Sequence, residues 1–84
     1  MQDRVSLYGF RKYMKYKIQN RYQDSGWENL GDNGRPEFTY ENVNTALSVA
    51  KKLSQNAIAY GMTRVVHIST CQVVATFTAG NRLD

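Results

Sequence analysis

The sequence predicts an α+β fold, a small antiparallel sheet in the order strand-strand-helix-strand-strand with one helix packed on one face. Three observations predict it: residues alternate in character over 14–22, apolar residues recur at helical spacing over 38–55, and two β-branched runs occupy 63–69 and 72–78. With 84 residues the chain has the length of one small domain. We therefore expect a single domain over 1–84, with its core in 14–78 and residues 1–13 as an N-terminal extension.

The first strand is predicted from its period of two, because residues two apart in a strand share a face. Apolar and aromatic residues form the predicted core side, interrupted by Asn20, and basic residues form most of the outward side. The core-side set is Met14, Tyr16, Ile18 and Tyr22, and the outward set is Lys15, Lys17, Gln19 and Arg21.

The residues that follow predict a hairpin. Asp24, Ser25 and Gly26 are turn formers, so Trp27 to Leu30 should return antiparallel as a second strand. Residues 31–36 then read as a polar loop, which lacks the ligand pattern of a calcium loop and the lysine of a phosphate-binding loop.

An amphipathic helix is predicted within residues 38–55. Thr39 is the expected N-cap and Glu41 falls in the first turn, while Phe38 and Val43 stand at the positions of a hydrophobic staple. The helix should fray between Gln55 and Ala59, with Asn56 and Gly61 as alternative residues past its last turn. The predicted buried residues are Val43, Ala46, Leu47, Ala50, Leu53 and Ala57.

The last two strands are joined by a short turn at Thr70 and Cys71, and both are apolar on both faces. In the first of them, Val66 shares a face with Ile68, opposite Val65 and His67. One helix can cover only one face of the sheet, so the second face should be a mixed surface of lysine, valine, threonine and His67.

The charge is uneven along the chain. Residues 1–22 carry net +5, residues 23–50 carry −4 and residues 51–84 carry +3. This pattern is compatible with a nucleic-acid surface, and equally with acidic turns that neutralise the basic strand inside the fold.

The chain has few residues suited to catalysis, and we expect a non-enzyme with no cofactor and no metal site. The chain has one cysteine, Cys71, and one histidine, His67, four residues apart at a predicted hairpin bend. A turn thiol and a sheet histidine explain them better than a catalytic pair, which would need a third group to orient it.

No secretory signal and no apolar run of about 18 residues is visible, and one cysteine cannot form an internal disulfide. We therefore expect a cytoplasmic protein without a membrane partner.

Several segments together resemble the small strand-strand-helix-strand-strand proteins that bacteriophages encode as accessory genes. They are "MKYKIQNRY" from Met14, the glycine-tryptophan turn at Gly26, "FTYENVNTALSVAKKL" and "RVVHISTCQVV". This resemblance covers most of residues 14–78 and implies a protein that binds, inhibits or redirects a host component, including host defence systems, in the host cytoplasm. A second resemblance, to the DNA-arm-binding modules of phage integrases, covers only a sheet packed on one helix, and the C-terminal hairpin departs from it.

Two classes of function follow. A protein-binding inhibitor or adaptor would use the uncovered sheet face or an edge strand, with basic residues steering it to an acidic partner and Trp27 as an anchor. A nucleic-acid module would use the same cations on phosphates, with Tyr13 or Trp27 stacking on bases. The acidic segment beside the basic one favours protein binding, and self-association through an edge strand is compatible with either class. The predicted partner-binding residues are Lys15, Lys17, Arg21, Trp27, Arg11 and Lys12.

Overall fold

The computed structural model describes residues 14–30 and 39–83. Within these residues the chain forms six strands and two helices. The strands are β1 (Tyr16–Arg21), β2 (Glu28–Asn29), β3 (Thr39–Tyr40), β4 (Met62–His67), β5 (Val73–Thr78) and β6 (Asn81–Arg82), and the helices are α1 (Val43–Ser54) and α2 (Ala57–Tyr60).

All strand pairs are antiparallel, and the sheet has the order β2-β1-β4-β5-β6. Strand β3 also pairs with β1, on the edge that β2 occupies, so β2 and β3 lie end to end beside it. With α1 packed against this sheet, the predicted α+β fold is confirmed. The short strands β3 and β6 are additions to the predicted order.

Both predicted hairpins, β1–β2 and β4–β5, are present, but their strands begin and end at slightly different residues than predicted. β2 pairs with β1 through Gln19–Asn29 and Asn20–Glu28. Between Val65 and Val66 the β4–β5 register shifts by one residue. Such an irregularity is a β-bulge, which bends the strand that carries the extra residue.

The core lies between α1 and one face of the sheet. Ile18, Val65 and Ala75 are consecutive partners across β1, β4 and β5, and each is fully buried. On the helix they meet Ala46 and Ala50, also fully buried. Because alanine carries only a methyl group, the helix can lie close to the strands. Phe77 completes this buried cluster, and the half-buried residues packed around it include Tyr16, Leu30, Tyr40, Leu47, Val49, Leu53 and Val74.

Two fully buried polar side chains connect α1 to the strands. The Thr63 hydroxyl donates to the carbonyl oxygen of Ala50 at 2.7 Å. The Ser54 hydroxyl donates to the carbonyl of Lys51 at 2.7 Å and accepts the amide of Gly80 at 3.0 Å. In the described part of the chain no buried side-chain nitrogen or oxygen lacks a hydrogen bond, as the cost of burying a polar group requires.

The start of α1 corrects the predicted cap. Thr39 lies in β3, opposite Lys17, and the helix is capped by Asn42 instead. The Asn42 side-chain oxygen accepts the amides of Asn44 at 2.8 Å and Thr45 at 3.3 Å. Pairing with β1 keeps Thr39 extended, so the first helical turn carries no acidic residue and Glu41 precedes it.

The end of α1 lies in the predicted region, since Gln55 is the C-cap and Asn56, one of the two predicted alternatives, follows the last turn. The helix stops at Ser54, and a separate short helix, α2, follows from Ala57 to Tyr60. Asn56 caps α2 by accepting the amide of Ala59 at 3.3 Å, and Gly61 ends it at φ 65°. Ala57, predicted as buried, is exposed because it belongs to α2.

Two other residues lie away from their predicted positions. Tyr22 is 42% exposed, because β1 ends at Arg21 and the chain turns away from the core there. His67 pairs with Tyr16 across β1 and β4, and the two rings meet edge to face at 5.3 Å. Since Tyr16 packs on the core cluster, His67 belongs to the helix side and not to the second face.

Some predictions fall outside the described residues. They concern the N-terminal extension 1–13 with Arg11, Lys12 and Tyr13, the loop 31–36, and Phe38 as half of the hydrophobic staple.

Gly61 should be the least replaceable described glycine. Its φ is 65°, and an added Cβ would overlap the carbonyl oxygen of Arg21. We expect Gly61→Ala to destabilise the fold by about 3 kcal/mol or more, since both the backbone and the neighbouring strand resist the methyl group. Gly26→Ala is the matched control, because no atom beyond Gly26 and its two chain neighbours lies within 4 Å of the position that a Cβ would take there. Thermal unfolding with equal midpoints for the two variants would contradict this account.

The cap assignment can be tested by substitution. Asn42→Ala should cost about 1 kcal/mol, because two amides of the first turn lose their acceptor. Asn44→Ala, two residues along the same turn, should change stability by less than about 0.5 kcal/mol, because its side chain is exposed. Urea unfolding of the two variants measures the difference, and an unchanged midpoint for Asn42→Ala would show that the cap is elsewhere.

Candidate partner-binding face

The sheet face opposite α1, which we call the second face, is defined by the strand register. Lys17 pairs with Val66, Gln19 with Arg64, and Arg21 with Met62. Each of these residues lies one or three positions from the core residue of its own strand, Ile18 or Val65, so its side chain leaves the sheet on the other side. The second face comprises Lys17, Gln19, Arg21, Met62, Arg64, Val66, Thr76 and Thr78, with Asn29 and Thr39 at its margin.

A chain of contacts crosses the middle of the second face. The Gln19 side-chain nitrogen donates to Asn29 Oδ1 at 3.0 Å, and Arg64 Nε donates to Gln19 Oε1 at 2.8 Å. The Arg64 guanidinium lies over the indole of Trp27, 4.2 Å from the ring centroid. Three strands thus fix one another's side chains in a row, Asn29 from β2, Gln19 from β1 and Arg64 from β4.

Arg64 makes two described side-chain contacts on this face. Partial burial lowers the pKa of its guanidinium, which nevertheless stays protonated at neutral pH, as arginine does in proteins generally. Its Nε donates a hydrogen bond to Gln19, and one side of the guanidinium plane packs on the indole of Trp27. The terminal nitrogens carry the remaining donors of the planar fork, the geometry that matches a carboxylate or a phosphate.

The predicted basic residues of β1 lie along the same face. Arg21 Nε donates to the carbonyl of Ser25 at 2.9 Å, which holds the guanidinium at the hairpin end. Lys17 is half-buried opposite Val66, and Lys15 is exposed just before the strand. Since β1 has neighbours on both edges, these cations belong to an internal strand and not to an edge strand.

The described carboxylates lie elsewhere. Glu28 is opposite Asn20 in the β1–β2 pair, which places it on the helix side of the sheet. Asp24 lies in the hairpin turn and Glu41 before α1, both exposed. The acidic segment therefore supplies no carboxylate to the described rows of the second face.

Sequence reasoning named Trp27 as a binding residue and placed Gln19 on the outward side of the first strand, but it did not name Arg64. Alternation along the strand could have placed Arg64 on this face, because it lies two residues before Val66. Its contact with Trp27 depends on β1 lying between β2 and β4, a strand order that no local pattern shows.

His67 and Cys71 lie at the turn that joins β4 and β5. His67 Nδ1 lies 3.1 Å from the Ser69 hydroxyl, and Cys71 is exposed at φ 62°. The Cys71 amide donates to the His67 carbonyl at 2.8 Å, which closes the turn. No cluster of three or more His, Cys, Asp or Glu side chains suited to a metal ion occurs in residues 14–30 and 39–83.

No protein-family model, curated protein or solved structure matches this chain. Neither described helix has the length and apolar character needed to cross a membrane.

The fluorescence of Trp27, the chain's one tryptophan, should report its contact with Arg64. Arg64→Ala uncovers one side of the indole, so acrylamide should quench it more strongly and stability should fall by about 0.5–2 kcal/mol. Arg21→Ala is the matched control, because the described contact of Arg21 is with Ser25. Equal quenching in the wild type and Arg64→Ala would show that the stack does not persist in solution.

Proposed function

We propose that this chain is a small, non-enzymatic binding protein that contacts a partner protein through the second face. The single observation that carries the proposal is Arg64, stacked on Trp27 and hydrogen-bonded to Gln19 in the middle of that face. Tryptophan and arginine are the residues most enriched among those that dominate protein interfaces. Here both are held in place before any partner arrives, which reduces the entropy lost on binding.

The partner should present an acidic surface. Lys17, Arg21 and Arg64 occupy successive rows of the second face, and the described rows contain no carboxylate. Lys15 extends the basic series beyond the strand. Complementary charge of this kind accelerates association and orients the partner.

Protein binding fits this face better than nucleic-acid binding. The four cations in the described part of this face, if each neutralised one phosphate, would make fewer contacts than the about six to ten that give a typical DNA-binding protein its steep salt dependence. One side of Trp27 is already covered by Arg64, so at most one side can stack on a base. Nucleic-acid binding remains the alternative that the experiment below distinguishes.

The kind of role follows from the resemblance to small bacteriophage accessory proteins. The resemblance implies a small protein that binds and inhibits or redirects a host component, and the second face offers a surface for such binding. We therefore propose that the chain inhibits or modulates a host protein, such as a component of a defence system, in the host cytoplasm.

The test is affinity capture from the cognate cell, with and without nuclease, using two charge-reversed variants. Lys17→Glu with Arg21→Glu alters the second face, and Lys51→Glu with Lys52→Glu makes the same change in net charge on exposed positions of α1. We expect a nuclease-resistant protein partner whose association slows about tenfold or more with the first variant and little with the second.

Two outcomes would contradict the proposal. Capture that disappears on nuclease treatment, with affinity falling steeply as salt rises, would assign the face to nucleic acid. Equal effects of the two variants would show that net charge, and not the second face, governs the association. Circular dichroism of both variants establishes that each is folded before binding is compared.

A further inference from the structure

A groove lies on the helix side of the sheet, between α1 and the hairpin of β5 and β6. Its volume is about 320 Å³, and its floor is formed by Phe77 and Leu47. Phe77 is 4% exposed, so the floor is continuous with the buried core. This volume is at the lower end of the range of small-molecule sites, about 300–1,000 Å³.

The two walls of the groove are fixed relative to each other at the hairpin tip. The Gly80 amide donates to the Ser54 hydroxyl at 3.0 Å, and Ser54 is fully buried in α1. A Cβ at residue 80 would come within 2.8 Å of Gln55 Cγ, so glycine permits this close approach of the tip to the helix. The groove is therefore formed by the fold itself.

Each wall contributes a cation. Lys51 comes from the helix wall and Arg82 from the hairpin wall. Arg82 is the register partner of Phe77, so its side chain leaves the sheet beside the aromatic floor. Ser48 and Asn81 add hydrogen-bonding groups, and none of the described lining residues carries a carboxylate.

We propose that this groove is a second binding site, which accepts a small organic oxyanion with an apolar body. The apolar portion packs on Phe77 and Leu47, and the carboxylate or phosphate group lies between Lys51 and Arg82. An apolar floor with a few convergent polar groups is the usual composition of a small-molecule site. The groove is on the opposite side of the sheet from the second face, so its ligand is independent of the partner protein.

The test is a titration of the isotopically labelled full chain, followed by the amide resonances of Ser48, Gly80 and Asn81. Benzoate and phenyl phosphate are the probes for the two oxyanion classes, and benzyl alcohol is the neutral probe of similar shape. We expect saturable shifts with at least one anion and weaker ones with the alcohol. Lys51→Gln and Arg82→Gln should each weaken anion binding about tenfold through loss of a charge-assisted hydrogen bond.

Lys52→Gln is the matched control, because Lys52 is the exposed neighbour of Lys51 and does not line the groove. It should change affinity by less than about twofold, as expected for an exposed charge. The proposal is overturned if the alcohol binds as tightly as the anions, if Lys52→Gln weakens binding as much as Lys51→Gln, or if no groove resonance shifts. Because Lys51 is exposed, its variant tests the site even if Arg82→Gln does not fold.

Discussion

The pairing of β1 with β4 is the constraint on which the rest of this structure depends. Six consecutive residue pairs, from Tyr16–His67 to Arg21–Met62, join a strand before α1 to a strand after it. This pairing places Ile18 beside Val65 under the helix, and Gln19 beside Arg64 on the second face. The loop that closes between the two strands costs conformational entropy, which burial of the shared core must offset. Without this pairing, neither the core nor the row of contacts on the second face could form.

The sequence predicted the elements whose pattern is local and long enough to show a period. β1, α1, β4 and β5 were recognised in this way, and with them the α+β class. Strand β3 has only two residues, Thr39 and Tyr40, and exists because they meet Tyr16 and Lys17 across the sheet. A capping threonine and a strand threonine have the same local signature, so the sequence alone pointed to Thr39 where the structure uses Asn42. The β6 hairpin was missed for a related reason, because its turn depends on positive φ at Ala79 as well as Gly80.

The second face was predictable in composition but not in arrangement. Alternation along β1 placed Lys15, Lys17 and Arg21 together, and that much follows from a period of two. The order of the strands determines which residues they meet. With β1 between β2 and β4, Gln19 can bond to Asn29 on one side and to Arg64 on the other. These contacts turn a set of surface side chains into a positioned group, which is why Arg64 is the central residue of the proposed interface.

The register of β2 shows why its carboxylate does not neutralise the described cations of the second face. The short strand β2 brings Glu28 next to β1, yet its register opposite Asn20 directs the carboxylate to the helix side. A shift of one residue would reverse this and put Glu28 among Lys17, Arg21 and Arg64. The hairpin register therefore keeps this carboxylate away from the cations of the second face. On the other side of the sheet, β6 brings Arg82 opposite Phe77 and towards Lys51 in the same manner. Strand register, and not net charge, thus produces two separate cationic surfaces in a chain of net charge +4.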